Sequence, residues 1–446
     1  MLPRIRLFQI LFVFALLSFG GFAAAASPPL IGCDLALDQE VLPAGSSQSV
    51  VIKVSLDVPV LPRQTARPPV NLALVFDRSG SMSGSKIEKA RQAAVEALRR
   101  LGPGDLFSLV VYDHQVQTLV SAQSAANTEW IESQIRSIHP GGNTALFGAV
   151  SQGAAEVRRH VHQPYVHRVI LLSDGLANVG PSAPEDLARL GAALLKEGIS
   201  VTTIGIGTDF NEDLMTRLAA RSDGNHYFVE DSRDLSRIFA AELGDVLSVA
   251  ARRVVVEVEC PAGVRPLRVI GREGRIRGNR VEIQMNQLYG GQEKFALIEV
   301  EVPASRSGQT MDLATANCSY ENALTARVEK SSARIQARFS ASQAEVREGA
   351  NKAVQEAVVE NEMAVARDQA LDLYNAGRKD EAAQALRQTS AELKAKSSRL
   401  GFDDLAGEAA ALESDAAEFS ADKLSSPRKK ELRSESYRVR SQQKEY

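Results

Sequence analysis

Leu72-Ala-Leu-Val-Phe-Asp77-Arg-Ser79-Gly-Ser81-Met-Ser83-Gly runs from five apolar residues straight into a carboxylate followed by alternating hydroxyls. A short, uninterrupted apolar run fits a strand buried on both faces, and such strands belong to parallel sheets. The carboxylate that ends it then stands at the carboxyl edge of the sheet, where α/β folds place their ligands. Asp77-x-Ser79-x-Ser81 on a tight turn gathers oxygen atoms around one point. That is the outline of a site for a hard divalent cation such as Mg2+, which takes octahedral oxygen coordination and usually keeps several waters.

Outward from this stretch, residues 70–247 alternate short apolar strands with amphipathic helices. The strands are expected at 72–76, 107–112, 169–172, 201–206 and 226–229, and the helices at 86–101, 145–160, 184–196, 212–220 and 235–247. This alternation predicts a doubly wound, mostly parallel α/β sheet covered on both faces. Residues 27–69 hold half-buried strands (Ile52, Val54, Leu56 and Val58 on one face) and a proline-marked linker at Pro59, Pro62, Pro68 and Pro69. From 250 to 335 the period returns to two, with Val254, Val256, Val258 and Cys260 on one face and Val281, Ile283 and Met285 on another. The early strands need partners, so they are expected to join this later sheet. The α/β unit is then an insertion in an antiparallel, β-sandwich-like domain.

Residues 340–446 are rich in Ala, Glu, Lys, Gln and Arg. Ala366, Ala370, Leu373 and Tyr374 fall at helical spacing, Gly377 interrupts, and Ala382, Leu386 and Leu393 resume, which predicts a helical hairpin. The segment from Ser426 carries seven Lys or Arg against three Glu and is expected to be a frayed, solvated end.

Two further segments point to the same sheet edge. Pro140-Gly-Gly-Asn-Thr144 precedes a helix, and Val169-Ile-Leu-Leu-Ser-Asp174-Gly is a second buried strand ending in a carboxylate. Together, Asp77-x-Ser79-x-Ser81, Thr144 and Ser-Asp174-Gly resemble the metal-ion-dependent adhesion site of von Willebrand factor A domains. Thr203-Ile-Gly-Ile-Gly-Thr-Asp-Phe210 and Asp223-Gly-Asn-His-Tyr-Phe-Val229 resemble other segments of that family. More loosely, the whole chain resembles exported bacterial proteins named calcium-activated chloride channel homologues. The resemblance implies that Ser79 and Ser81 bind Mg2+ directly, with Mn2+ or Ca2+ as substitutes. It implies that Thr144 binds directly or through water, and that Asp77 and Asp174 act mainly through water. It also implies that a protein ligand completes the coordination with a Glu or Asp carboxylate.

Simpler readings compete with each piece. Asp77 and its serines can cap a helix, Thr144 can be a cap, and Asp174 a turn residue. An EF-hand reading of Asp77 to Glu88 fails because position 6 is Met82 instead of Gly, and Lys86 and Glu88 read as solvated first-turn residues. Enzymatic motifs are missing from the sequence: there is no Walker loop, no Gly-x-Ser-x-Gly elbow and no His-Glu-x-x-His. His160, His162 and His167 read as a surface connection, Asp113-His114 as a hairpin turn, and Trp130 as the anchor of a short helix to the core.

A net charge of −3 favours no nucleic-acid partner. Arg4 and Arg6, the apolar run from Leu7 to Phe22 and Ala24-x-Ala26 read as a signal peptide over residues 1–26, implying periplasmic or extracellular export. No later stretch is long and apolar enough to span a membrane. Leu30-Ile-Gly-Cys33 resembles a lipobox. A lipid anchor at Cys33, the lesser reading, would make the chain a membrane-associated lipoprotein and leave Cys260 and Cys318 to pair. The expectation is therefore an exported, non-enzymatic protein that binds a partner through a divalent cation. An accessory or regulatory subunit of a membrane transport or channel complex is the alternative.

Overall fold

The structure is a computed structural model that describes residues 29–61, 67–400, 404–421 and 424–443. The expected signal peptide and Pro62 lie outside the described residues. Three strands come first: β1 (Gly32–Leu37), β2 (Val41–Pro43) and β3 (Gln48–Asp57). Along β3, Val50, Ile52, Val54 and Leu56 are buried, and their hydrophobic partners lie far along the chain.

The next unit contains β4 (Val70–Asp77), α1 (Ser85–Leu98), β5 (Leu106–Tyr112), β6 (Val116–Ser124), α2 (Thr128–Arg136) and α3 (Leu146–Arg158). It continues through β7 (Val166–Ser173), α4 (Pro184–Lys196), β8 (Ile199–Ile206), α5 (Glu212–Ser222), β9 (His226–Val229) and α6 (Leu235–Leu247). The sheet order is β6-β5-β4-β7-β8-β9. Only β6, the edge strand after the Asp113-His114 turn, runs antiparallel. Every residue of β4 is buried, as a central strand with helices on both faces requires. Leu72, Leu74 and Phe76 pack with residues of α1, α2 and α6 such as Ile87, Ile131 and Phe239. Ala73 and Val75 point the other way, into a core with Leu146, Val150, Leu187 and Leu218. Local chemistry agrees with the helix starts: Pro184 opens α4 with Glu185 and Asp186 behind it, and the Asn211 side chain accepts the Leu214 N–H at the start of α5. Trp130 does not anchor α2. It is 42% exposed, and Ile131 and Ile135 make the buried contact instead.

The chain then returns to antiparallel structure: β10 (Val249–Glu259), β11 (Arg265–Ile270), β12 (Arg275–Arg277), β13 (Arg280–Tyr289), β14 (Glu293–Val302), β15 (Thr310–Asn322) and β16 (Val328–Ser340). Two sheets form, ordered β1-β3-β14-β11 and β12-β13-β10-β15-β16-β2. Ile52 lies opposite Ile298 and Val54 opposite Ala296, so the first strands do pair with the later ones and the α/β unit is inserted between them. Their inward residues, including Ile52, Leu56, Val256, Val258, Ile283 and Val300, form one shared core.

All three cysteines are free and buried in this domain. Cys318 stands opposite Val256 in the β10/β15 register. That is four residues from Cys260, about 13 Å along a strand at 3.3 Å per residue, too far for the pairing considered above. Cys33 faces the same core, so the buried thiol points away from the surface where a lipid would sit.

The C-terminal region exceeds a hairpin. It holds α7 (Gln343–Glu348), α8 (Lys352–Asn375), α9 (Lys379–Leu400), α10 (Asp404–Ser420) and α11 (Ser426–Ser441). Gly377, at φ +79°, makes the left-handed turn between α8 and α9. Ala370, Leu386, Leu412, Phe419 and Leu432 share one core. The expected frayed end is thus helix α11, begun by a Ser425 cap on the Arg428 N–H. Its charges are paired across the fold. Arg433 meets Asp213, Asp368 and Asp372. Lys430 donates to the Phe210 carbonyl and the Glu212 carboxylate, each at 2.6 Å. Among the described residues no helix is long and apolar enough to cross a membrane.

Candidate metal centre

Asp77 closes β4 at the centre of the sheet and is fully buried. Its Oδ1 accepts the Ser79 N–H and its Oδ2 accepts the Ser173 hydroxyl, both at 2.7 Å. Burial pushes the Asp77 carboxyl up to about 6 even though these hydrogen bonds pull it down. A buried carboxylate raised in this way gains strongly from any cation placed beside it.

The chain turns at Ser79 through a single 3₁₀ turn, Gly80–Met82, before α1 begins. Met82 is buried and pins the turn to the core. The hydroxyls of Ser79 and Ser81 lie 3.0 Å apart. Ser81 donates to Asp174 Oδ1 at 2.7 Å. Asp174 follows Ser173 at the end of the neighbouring strand β7 and is also fully buried.

Thr144 is brought in by backbone stitching. The Gly141 N–H donates to the Arg78 carbonyl, the Gly80 N–H to the Gly142 carbonyl, and the Ala145 N–H to the Asp113 carbonyl. Gly142 adopts φ +76°, and a Cβ there would lie 2.3 Å from His114 Nδ1; only glycine fits. From the far side Asn178 completes the loop, its Oδ1 accepting the Thr144 N–H at 2.8 Å. Arg78 and Asp113 pair at 3.1 Å beside the turn.

The convergence is measurable at Gly175. A Cβ built on this residue would sit 3.0 Å from Thr144 Oγ1, 3.5 Å from Ser81 Oγ and 3.6 Å from Ser79 Oγ. Three hydroxyls thus surround a space that the glycine keeps open, with two buried carboxylates behind them. Ser79 and Thr144 are buried, whereas Ser81 and Leu176 are exposed, so the cluster opens outward. A set made only of oxygen atoms suits a hard divalent cation. Among the described residues no group of three or more His, Cys, Asp or Glu side chains could hold a metal ion, so any ion at this edge depends on the hydroxyls as well as the two carboxylates.

All five residues singled out in the sequence, Asp77, Ser79, Ser81, Thr144 and Asp174, meet at this edge. Three supporting residues were not singled out. Ser173 and Asn178 hold Asp77 and Thr144, and Lys86, expected to be solvated, places its Nζ 2.6 Å from Asp174 Oδ2. The histidines separate: His162 is exposed, while His167 is buried in β7 with its Nδ1 3.3 Å from Asn71 Nδ2. Burial lowers the His167 imidazole to about 4.

Residues 71–241 match the family described as von Willebrand factor type A domain. An uncharacterized protein of a Synechocystis species is 25% identical over 253 residues, covering 54% of this chain and 60% of that protein. The chain therefore aligns with about three fifths of that relative's length. Among solved structures, a von Willebrand factor type A protein from Catenulispora acidiphila superposes with a TM-score of 0.66 at 19% identity, over 82% of this chain and 89% of its own. The ArnB paralog VWA2 from Sulfolobus acidocaldarius gives a TM-score of 0.61 at 18% identity, over 92% of this chain and 98% of its own. Both are similar in fold.

Proposed function

Because this chain carries a von Willebrand factor type A domain over residues 71–241, we propose that it is an exported, non-enzymatic protein that grips a partner through a divalent cation. Mg2+ is the proposed ion, held by Asp77, Ser79, Ser81, Thr144 and Asp174. The observation that carries this reading is the convergence of three neutral hydroxyls on the space beside Gly175. With so few anionic donors in contact, a bound cation supplies an electrophilic centre and takes a further oxygen ligand from outside.

Each residue has a definite task. Asp77 and Asp174 compensate the ion's charge from buried positions. Ser79, Ser81 and Thr144 present oxygen atoms at its edge, and Gly175 leaves room for it. The exposed position of Ser81 supports approach of a partner's Glu or Asp carboxylate from solvent. Export is supported by the sequence of residues 1–26, with its basic start, apolar run and Ala24-x-Ala26.

The test is linkage between cation and folding. Mg2+ at 100 times its dissociation constant should add about 2.7 kcal/mol of stability to the full chain. Asp77→Ala should lose this gain and, with it, Mg2+-dependent, EDTA-reversible capture of the partner. Equal stabilisation of wild type and variant overturns the assignment.

A further inference from the structure

Lys86 is the one cation in hydrogen-bond contact with the carboxylates of this centre among the described residues. It lies in the first turn of α1, with its side chain 28% exposed and its Nζ 2.6 Å from Asp174 Oδ2. Asp174 is thereby divided: Oδ1 accepts the Ser81 hydroxyl at 2.7 Å and faces the hydroxyl cluster, while Oδ2 is taken by the ammonium. The Lys86 side chain lies against Gly207, after β8, whose φ is +69°.

Resting on the metal-centre reading above, we propose that Lys86 trades cation affinity for partner affinity. It weakens the hold of the centre on its divalent ion and leaves the loaded centre positive, ready for an anionic group. Asp77 and Asp174 supply two negative charges, which a divalent cation would cancel. The adjacent Arg78 and Asp113 pair cancels itself. Lys86 then leaves one positive charge beside the open face. Two helix N-termini, at Ser85 and Leu146, add partial positive charge on the same side. A carboxylate from another protein meets a cationic site, where without Lys86 it would meet a neutral one.

The opposing effect falls on the metal. An ammonium and a divalent ion drawing on one carboxylate repel each other. At the effective dielectric of a protein surface, that repulsion is worth a factor of about ten or more in binding. Lys86 thus keeps the centre from being a simple high-affinity trap and reserves part of its electrostatic attraction for the partner.

The experiment uses the full chain as wild type, Lys86→Gln and Lys86→Arg, with Mg2+ alone as the first probe in calorimetry. The second probe is acetate added to Mn2+-loaded protein, followed by water-proton relaxation as the carboxylate displaces water. Lys86→Gln is expected to bind Mg2+ about tenfold tighter or more and acetate about tenfold weaker, with Lys86→Arg close to wild type in both. Mg2+ binding in Lys86→Gln that is unchanged or weaker overturns the proposal, because Lys86 then only steadies Asp174. A folded wild type that binds no Mg2+ at all overturns the metal reading itself, a result distinct from the first.

Discussion

Ser173 donates its hydroxyl to Asp77 at 2.7 Å, joining the last residues of two adjacent parallel strands inside the sheet. Both residues are fully buried, so this bond fixes the carboxylate on which the proposed metal centre is built. Ser173→Ala removes the donor and leaves a buried oxygen short of a partner. The expected loss is about 1–3 kcal/mol in urea unfolding, together with weaker Mg2+ stabilisation. A variant as stable and as responsive to Mg2+ as wild type would count against this role.

Gly142→Ala should break the centre without touching a proposed ligand. The new Cβ meets His114 and Asp113, and φ +76° disfavours any side chain. Relief by local shift of the loop moves Thr144, so the Mg2+-dependent rise in melting temperature should shrink while basal stability falls by about 1–3 kcal/mol. Adding His114→Ala should recover part of the loss, because it removes the nearest clash and leaves the backbone strain.

Stability should fall on mild acidification. His167 is buried and its pKa is lowered from 6.5 to about 4, so between those values the unfolded chain binds the proton that the folded chain refuses. The sign follows: stability rises with pH across this window and is lost as pH falls through it, by on the order of 3 kcal/mol. His226, also buried and lowered to about 3, acts in the same direction, while Asp77, raised to about 6, gains stability as pH falls below that value and offsets part of the loss. Urea midpoints measured between pH 4.5 and 7 should show this slope, and His167→Asn should flatten it.

Arg168 binds the two halves of the molecule together. From β7 it pairs with Glu242 at 3.4 Å and donates to Gln287 and Tyr289 of the β-domain at 2.6 Å each, all without solvent contact. Glu242→Gln leaves the guanidinium uncompensated and should cost about 3–5 kcal/mol. A cost below about 1 kcal/mol, the range of an exposed pair, would show that the burial is not felt.

Helix α11 should govern the loop after β8. Lys430 holds the Phe210 carbonyl and Glu212, and Ser426 donates to the Thr208 carbonyl. Lys430→Ala should raise amide hydrogen exchange in residues 207–212 with little change in the central strands.

Much of this was legible because it is local. The Asp77 motif, the run to Asp174 and the glycine loop before Thr144 are contiguous signals. The rule that places ligands at the carboxyl edge of a parallel sheet brings them together without further information. Pairings set by tertiary geometry were not legible. Lys86 looks like any charged residue of a helix start until α1 is laid beside β7. Ser173 looks like one more strand residue. The edge strand β6 carries Gln117, Thr118, Ser121 and Gln123 among its apolar residues, so the turn at Asp113-His114 is visible and the strand after it is weak. Helix α11 reads as a solvated tail because its Arg433 finds its carboxylates on α5 and α8, far away in sequence. A charge count cannot distinguish a solvated tail from a riveted one.

The register that sets Ile52 opposite Ile298 has a consequence for how the chain comes to exist. Strand β3 leaves the ribosome some 240 residues before its partner, a separation that makes its pairing a late and slow event. Until β14 arrives, β3 has only β1 beside it, and Val50, Ile52, Val54 and Leu56 lack most of the core that later covers them. The outer domain therefore closes last, and the edge of β3 left open for β14 is a segment that needs protection from aggregation in the interval.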